Sequence, residues 1–237
     1  MDMKQLYLRT ERAWPPDGTA AAPAPAQIRP FTESDRAELL ALFGRARADS
    51  PSASLWGHEE SEAAIYLTPY MDLEPESLFV AESGGRLVGC LTGCPDSSRL
   101  PSEEARMLEA IRRHRLMLRP RLAAFFARST GDLLWAAAHR RPRAAAFEDP
   151  RWPAHLHINL VPEARGTGAA ENLMIAWFDR LRSTGSPGCH LQTLSENTRA
   201  LAFFRRMGFT EYGPARPVPG LRYRGRRLHQ RTMVWTP

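Results

Sequence analysis

A strand-to-helix corner in the second half of the chain constrains the fold more than any other stretch. Residues 156–161 are a short apolar-rich run typical of a strand, and residues 171–182 have the apolar spacing of an amphipathic helix. Between them, residues 162–170 read Pro-Glu-Ala-Arg-Gly-Thr-Gly-Ala-Ala. Small residues let a bulky anion approach the backbone, where the first helical N–H groups lack partners at the positive end of the helix dipole. The corner therefore predicts a diphosphate cradle at a helix N-terminus.

Two common phosphate loops do not fit this corner. A Walker A loop needs a lysine, which the corner lacks, and a dinucleotide fingerprint needs glycine where Glu171 stands. The remaining pattern is Arg165-x-x-Gly168-x-Ala170, directly after the strand and Pro162. Taken alone, this hexapeptide leaves a second interpretation open, in which a tight corner only packs a helix against a strand.

A second block lies downstream of the corner. Residues 189–194 read as a strand, Asn197 is suited to be a helix N-cap, and Gly208 is suited to end that helix. In this order and at this separation, the two blocks resemble the GCN5-related N-acetyltransferase (GNAT) family. The resemblance implies an α/β fold of the GNAT type, with a central mixed, twisted sheet of about six to seven strands flanked by helices.

The same resemblance implies a site for acetyl-CoA, the expected cosubstrate. The strand end at residues 159–161 would pair with the pantetheine arm and polarise the thioester carbonyl, so Asn159 is a catalytic candidate. The corner would hold the pyrophosphate, and Asn197 would contact the CoA arm. Many relatives carry at position 204 a tyrosine that protonates the departing thiolate, but this chain has Phe204. The residues assigned to the cofactor are Leu160, Val161, Arg165, Gly166, Thr167, Gly168, Ala169, Ala170, Asn197 and Phe204.

The sequence leaves two candidates for the general base. His155, His157 and Asn159 share one face of the predicted strand, because side chains alternate along a strand. His157 has an unperturbed pKa of about 6.5, which suits proton transfer from an amine, or it is a structural histidine hydrogen-bonded under the sheet. Asp96, in the corner after the third strand, is the other candidate, and an Asp there is equally typical of a turn.

Residues 153–160, Pro-Ala-His-Leu-His-Ile-Asn-Leu, carry a narrower resemblance. They are similar to bacterial stand-alone relatives of the C-terminal acetyltransferase-like domain of O-GlcNAcase, and the match is best over residues 78–100 and 152–209. The resemblance implies an acetyl-CoA-dependent N-acetyltransferase that transfers acetyl to a primary amine, on a small molecule or a peptide, by direct attack. The alternative is an acetyl-CoA-binding pseudo-acetyltransferase that acts as a sensor or interaction module.

Composition and charge exclude several other classes. No apolar run approaches the ~20 residues that cross a bilayer, and no signal-peptide core is present at the N-terminus. Three cysteines in the chain favour reduced thiols in a bacterial cytoplasm, and Cys90-x-x-x-Cys94 lacks a second ligand pair, so no metal is expected. The net charge of +6 comes without a nucleic-acid-binding signature, so a nucleic-acid partner is not expected. We expect a monomer or a homodimer.

The remaining sequence suggests one domain with additions. Residues 1–27 are predicted to be a disordered extension, and residues 28–237 form the GNAT domain, with a helical insertion at residues 101–150. We expect a first strand at residues 28–30, a helical region at 59–70, a hairpin at 83–86 and a helix at 122–138 that breaks near Thr130 and Gly131. Residues 213–227 are predicted to be a loop before a final strand at 228–235. The resemblance implies that this last hairpin borders the acceptor pocket, so the five arginines in the loop predict an anionic acceptor.

Overall fold

The computed structural model describes residues 25–48 and 56–237. Within these residues, seven strands form one sheet in the order β1-β2-β3-β4-β5-β7-β6. The strands are β1 Gln27–Pro30, β2 Leu78–Ser83, β3 Arg86–Cys94, β4 Ala154–Leu160, β5 Cys189–Leu194, β6 Thr210–Tyr223 and β7 Arg226–Trp235. The helices are α1 Arg36–Ala48, α2 Glu59–Tyr66, α3 Thr68–Leu73, α4 Glu103–Arg113, α5 Pro120–Ala138, α6 Ala169–Thr184 and α7 Thr198–Arg206. This mixed sheet with flanking helices confirms the predicted fold class, whereas most of the predicted N-terminal extension lies outside the described residues.

The sheet splits between β4 and β5. These two strands run parallel, but only Ala154 with Cys189 and His155 with His190 are in register. Beyond His155 the strands diverge, while β4 stays paired with β3 along its length. The Val161 N–H donates to the Val88 carbonyl at 3.0 Å, so the alternation of an antiparallel ladder turns the backbone groups of Ile158 and Leu160 toward the gap. The split leaves one polar strand edge open.

Helix α6 is fixed against the sheet by a close contact. A Cβ at Gly93 on β3 would lie 2.4 Å from the Trp177 ring on α6, so only glycine lets the two elements approach this closely. Trp177 is fully buried. On the opposite face, α3 places the fully buried Tyr70 against the β4 histidines. The contact at Gly93 therefore sets the position of α6 and of the corner that precedes it.

Two predictions for the first part of the chain and the insertion change in the structure. The hairpin at residues 83–86 and the first strand are confirmed. The helical region at 59–70 is two helices, because Pro69 lies in the first turn of α3 and starts a new helix. The predicted break near Thr130 and Gly131 is wrong, since α5 is continuous over Pro120–Ala138. Glycine inside a helix costs only about 1 kcal/mol relative to alanine, and the helix tolerates it.

The predicted loop at residues 213–227 is also wrong. Strand β6 continues to Tyr223, with irregular register around Pro214, Pro217 and Pro219. Proline is tolerated there because β6 lies at the edge of the sheet, where one side of the strand needs no ladder partner. The arginines of this segment therefore lie on a hairpin rather than on a loop.

Candidate active site

The split sheet opens into one large cleft. It has a volume of about 2230 Å³, and its walls come from β4, β5, the corner before α6, α7 and the insertion. Among the described residues, six arginines and six carboxylates line it, and their charges balance. The arginines are Arg106, Arg112, Arg143, Arg165, Arg199 and Arg206, and the carboxylates are Asp96, Glu103, Glu104, Glu148, Asp149 and Glu171.

The corner forms one end of this cleft. Gly166 and Gly168 both have φ of 76°, a left-handed conformation that favours glycine, and α6 begins directly after Gly168. Thr167 is buried, and its hydroxyl donates to the Ala164 carbonyl at 2.7 Å and accepts from the Ala169 N–H at 3.3 Å. These bonds fix the turn in place, so its shape does not depend on a ligand.

Four N–H groups of the corner have no acceptor in the described part of the chain. They belong to Gly166, Gly168, Ala170 and Glu171. Arg165 is exposed beside them and has no carboxylate partner among the described residues. Unpaired donors at a helix N-terminus, together with a nearby cation, suit a phosphate group. The residues present therefore fit the diphosphate of acetyl-CoA.

The structure places the other predicted cofactor residues along the same cleft. Leu160 and Val161 line it at the open edge of β4. Asn197 caps α7, because its side chain accepts from the Ala200 N–H at 3.1 Å. Phe204 is buried on α7, and its ring lies edge-on to Phe209 at 5.8 Å between centroids. The side chain of Asn159 turns toward the Cys90 thiol, so Asn159 offers the cleft chiefly its place on the open strand.

A chain of four polar side chains runs beneath β4. The Tyr70 hydroxyl lies 2.7 Å from His155 Nε2 and 3.1 Å from His157 Nε2. Ser97 Oγ lies 2.6 Å from His155 Nδ1. His155 and His157 were predicted to share a face of the strand, and their common contact with Tyr70 confirms it. His157 is half-buried and lines the cleft.

Counting donors assigns the protons along this chain. The Ser97 hydroxyl donates to the Pro153 carbonyl at 2.6 Å, so its oxygen accepts the proton of His155 Nδ1. Neutral His155 then accepts the Tyr70 proton at Nε2, and the Tyr70 oxygen accepts from His157 Nε2. In this order His157 Nε2 donates toward the Tyr70 oxygen, so the network orients the His157 imidazole.

The surroundings keep His155 and Tyr70 uncharged. Enclosure of His155 lowers its pKa well below the usual value, and the neighbouring His157, His190 and Arg106 lower it further. Burial raises the pKa of Tyr70 to about 12, although Arg106 opposes the shift. The Arg106 guanidinium stacks over the Tyr70 ring at 5.4 Å and donates to the Ile65 carbonyl at 2.7 Å. Because His155 and Tyr70 are neutral, Tyr70 donates to His155 and His155 donates to Ser97, as given above.

The geometry disfavours Asp96 as the base. Its carboxylate accepts from the Ser98 N–H at 3.0 Å and the Ser98 hydroxyl at 2.8 Å, as a turn-capping residue does. The side-chain and backbone hydrogen bonds from Ser98 lower the pKa of Asp96, which makes it a weaker base. Asp96 lies at the cleft wall, but its position serves the turn after β3.

Three participants escaped the sequence analysis. Tyr70 on α3 and Ser97 in the turn after β3 bond the β4 histidines, and Arg106 on α4 stacks over Tyr70. None of them lies in a recognisable pattern with His155 or His157. The one available signal is an arginine inside an otherwise apolar helical spacing, where a solvated position is the usual expectation. Arg106 is instead buried.

The far end of the cleft is apolar and belongs to the insertion. Trp56 packs against Phe125 and Phe126, with ring centroids 5.9 and 6.0 Å apart, and all three line the cleft. Asp132 on α5 ties the insertion to the β6–β7 hairpin, since its carboxylate accepts from Arg222 at 2.7 Å and from Arg227 at 3.0 Å. Two of the five hairpin arginines are therefore neutralised by a carboxylate.

Comparisons with known proteins agree with this arrangement. The acetyltransferase (GNAT) family model matches residues 43–209. A mycothiol acetyltransferase of Pseudarthrobacter chlorophenolicus is 34% identical over 65 residues, which cover 25% of this chain and only 20% of that relative. None of the described helices has the length and apolar character needed to cross a membrane.

Solved structures share the fold. SsHAT matches with a TM-score of 0.58 and 24% identity, covering 90% of this chain and 98% of its own. The ribosomal-protein-alanine N-acetyltransferase of Brucella melitensis matches with a TM-score of 0.54 and 20% identity, covering 89% of this chain and 99% of its own. The Salmonella typhimurium protein yncA was solved with its cofactor acetyl-CoA. It matches with a TM-score of 0.54 and 15% identity, covering 89% of this chain and 93% of its own. The narrower resemblance to O-GlcNAcase-type relatives stays a prediction.

The family model spans α1 to the start of β6, which includes the split sheet, the corner and the capped helix α7. This chain therefore belongs to the GNAT family of acetyltransferases.

Proposed function

We propose that this protein is an acetyl-CoA-dependent N-acetyltransferase that acetylates the primary amine of a small molecule by direct attack. The observation that carries the proposal is the split between β4 and β5. It brings the open edge at Ile158 and Leu160, the donors of the corner and His157 to one cleft. The histidine-bearing strand at residues 154–160 also supports a place among the stand-alone O-GlcNAcase-type relatives.

Acetyl-CoA would supply an activated acetyl thioester. The N–H groups of Gly166, Gly168 and Ala170 would bind its diphosphate, with Arg165 adding positive charge. The backbone of β4 at Ile158 and Leu160 would hold the pantetheine arm by hydrogen bonds, as an added strand is held at a sheet edge. Holding the donor in this way orients it for attack and contributes to rate through positioning.

His157 is the proposed general base. The imidazole would accept the proton of the incoming amine, and its contact with the Tyr70 oxygen at 3.1 Å holds its orientation. Tyr70 holds the imidazole orientation, and His155 in turn holds the Tyr70 hydroxyl. Position 204 supplies no proton. A thiolate with an ordinary thiol pKa of about 8.5 is a tolerable leaving group at neutral pH.

The cleft favours an acceptor with an apolar body. The earlier expectation of an anionic acceptor rested on the arginines of residues 216–227, and Asp132 pairs with Arg222 and Arg227. The acceptor end instead presents Trp56, Phe125 and Phe126. Aromatic side chains bind apolar and aromatic groups through large buried areas. We therefore propose a small amine with an aromatic or aliphatic body.

Thiol release from acetyl-CoA tests the proposal with four amine classes: aromatic or aliphatic monoamines, amino acids, polyamines and basic peptides. We expect turnover with aromatic or aliphatic monoamines. His157→Gln should lower kcat by roughly 10²–10⁴-fold and leave acetyl-CoA affinity unchanged, because the base acts on the amine. His229→Gln removes a histidine on the β6–β7 hairpin and is the matched control.

Two results would contradict the proposal. One is tight acetyl-CoA binding with no turnover on any amine class, which would favour a sensor. The other is a His157→Gln variant with unchanged kcat, which would move the base elsewhere. Tyr70→Phe adds a sharper readout, since a positioning role predicts a shifted pH profile of kcat/KM as well as a lower rate.

A further inference from the structure

Outside the cleft, two helices bring together three side chains that suit a metal ion. His58, Glu60 and His114 each offer one ligand atom, and these atoms all lie within 4.8 Å of one another. His58 and Glu60 lie at the start of α2, and His114 directly follows α4. None of the three lines the cleft. We propose that His58, Glu60 and His114 form a binding site for Zn²⁺ or a similar divalent transition-metal ion that clips α4 to α2.

The donor chemistry fits a borderline transition metal. Two imidazoles and one carboxylate are the ligand set that Zn²⁺ accepts in three-ligand sites, with a fourth position left to water. Hard ions such as Mg²⁺ and Ca²⁺ prefer oxygen ligands alone. The ring centroids of His58 and His114 lie 5.2 Å apart, and His114 Nδ1 lies 3.9 Å from Glu60 Oε2. The two imidazoles and the carboxylate therefore already face a common space.

Binding a metal changes the role of His58 in the fold. Nδ1 accepts from the Ser61 N–H at 3.3 Å as the N-cap of α2, so in the neutral ring the proton is on Nε2. Ligation through either nitrogen therefore gives up the capping bond, and the bond to the metal offsets that loss. Zn²⁺ needs ligands about 2.0–2.1 Å from the ion, so the three atoms must move closer together. The Glu60 side chain is 82% exposed and can make most of that movement.

The charges around His114 are mixed, because Arg113 and Arg119 lie near it together with Glu60. The two arginines disfavour a bound cation by repulsion, and the Glu60 carboxylate offsets part of that repulsion.

The position of the cluster gives the metal a structural role. Helices α2 and α4 pack against each other, and at their other end the Tyr66 hydroxyl donates to Glu103 at 2.9 Å. Arg106 on α4 bonds the Ile65 carbonyl at the same end and stacks over Tyr70 of the catalytic chain. A metal bound at the start of α2 and the end of α4 would join the two helices at the end opposite to the Tyr66–Glu103 bond. It would hold the insertion in the position that places Arg106 beside the candidate active site.

Titration of the full-length, tag-free, metal-free protein with Zn²⁺ tests the site by calorimetry. We expect one ion per chain and, with Co²⁺ as a spectroscopic substitute, visible absorption bands of a four-coordinate site. Zn²⁺ at about a hundredfold excess over Kd should raise Tm by roughly 5–10 °C. These readouts do not depend on acetyltransferase activity, so they are independent of the proposed function.

The variants are chosen to keep the fold. His58→Asn keeps a good N-cap while removing the ligand nitrogen, and Glu60→Gln changes an exposed side chain. Each of His58→Asn, Glu60→Gln and His114→Gln should weaken Zn²⁺ binding by at least about tenfold, as loss of a ligand does. His229→Gln is the matched control, because His229 has Glu196 at 3.1 Å but belongs to no three-ligand cluster in the described residues.

Two outcomes overturn the proposal. The first is no heat and no Co²⁺ bands with the parent protein. The second is Zn²⁺ binding by His58→Asn and Glu60→Gln that equals binding by the parent. If His114→Gln unfolds, the Glu60→Gln variant alone decides, because an exposed glutamate is not needed for folding.

Discussion

The proposed cofactor end of the cleft, at the corner and Asn197, and the proposed acceptor end, at His157 and the insertion, are held together by different kinds of contact. At the cofactor end, the side-chain bonds that fix the turn and the cap join residues two or three positions apart. Thr167 bonds the Ala164 carbonyl, and Asn197 accepts from the Ala200 N–H. The candidate ligand-binding groups there are mainly backbone N–H groups, whose direction depends on local chain conformation. The shape of such a site is set mainly by its own segment.

The acceptor end is assembled from remote segments. The Tyr70 hydroxyl bonds His155, 85 positions later in the chain, and Asp132 on α5 pairs with Arg222 on β6, 90 positions later. These are side-chain contacts, and each one depends on two elements being positioned by the rest of the fold. We therefore expect substitutions at the cofactor end to act on binding alone. Substitutions at the acceptor end should also change stability and pH dependence.

The largest expected effect is at the corner. Gly168→Glu places bulk, negative charge and an unfavourable left-handed residue where phosphate would bind, so acetyl-CoA affinity should fall by more than about a hundredfold. The matched control is Gly185→Glu, because Gly185 also has positive φ, at the far end of α6, with open space around it. Calorimetry with acetyl-CoA measures both. Equal affinities in the two variants would mean that the corner is not the cradle.

The next effect tests the acceptor end. Asp132→Ala leaves Arg222 and Arg227 without their carboxylate and frees the Gly220 N–H, which donates to Asp132 at 2.9 Å. The Asp132 side chain is 14% exposed, so its loss should lower the free energy of unfolding by about 2–3 kcal/mol and raise the acceptor KM. Asp179→Ala removes an exposed carboxylate paired with Arg182 and should cost almost nothing. Denaturant titration compares them, and an acetyl-CoA affinity that fell in Asp132→Ala would contradict the division between the two ends.

The same division explains what the sequence could predict. The corner, the Asn197 cap and the alternation of His155, His157 and Asn159 are all local, and the structure has them as expected. Periodicity and turn chemistry act over a few residues, so one sequence is enough to read them.

The acceptor end could not be predicted in this way. Which side chain packs under His157 depends on where α3 lies on the sheet, and no local pattern links Tyr70 to β4. The same holds for the hairpin arginines, which were expected to face a ligand. A carboxylate on α5 pairs with two of them, and that pairing exists only after the insertion folds back onto β6.

A smaller effect concerns pH and the buried chain. The pKa of His155 is lowered in the folded state, so below the unfolded value of about 6.5 the unfolded chain binds more protons. The part of the stability that depends on neutral His155 is therefore fully present above that pH and is lost as the pH falls. A histidine that stays neutral in the folded state lowers the free energy of unfolding by about 2 kcal/mol at about pH 5. The lowered pKa of the buried His190 acts in the same direction.

The pH effect is measured as unfolding free energy between about pH 8 and pH 5, a range above the titration of most carboxylates. His155→Gln keeps an acceptor for Tyr70 and a donor for Ser97 while removing the titratable ring, so its stability should fall less steeply with pH. His229→Gln should keep the slope of the parent protein. If His155→Gln and the parent lose stability in parallel, enclosure of His155 is not the source of the acid sensitivity.

The smallest expected effect comes from a substitution at Phe204, on α7. Its ring lines the cleft from α7, at the position where many relatives carry the tyrosine that protonates the thiolate. Because a thiolate leaves tolerably without an acid, the missing hydroxyl should limit the rate only modestly. Phe204→Tyr is expected to raise kcat by up to about tenfold, the low end of what one acid–base group contributes, and to leave acetyl-CoA affinity unchanged. Phe203→Tyr adds the same hydroxyl one residue away and should leave kcat unchanged. A kcat that rises equally in both variants would show that the hydroxyl acts through general polarity of the cleft. A kcat that falls in Phe204→Tyr, in a protein that still binds acetyl-CoA, would show that the ring at 204 serves packing against Phe209.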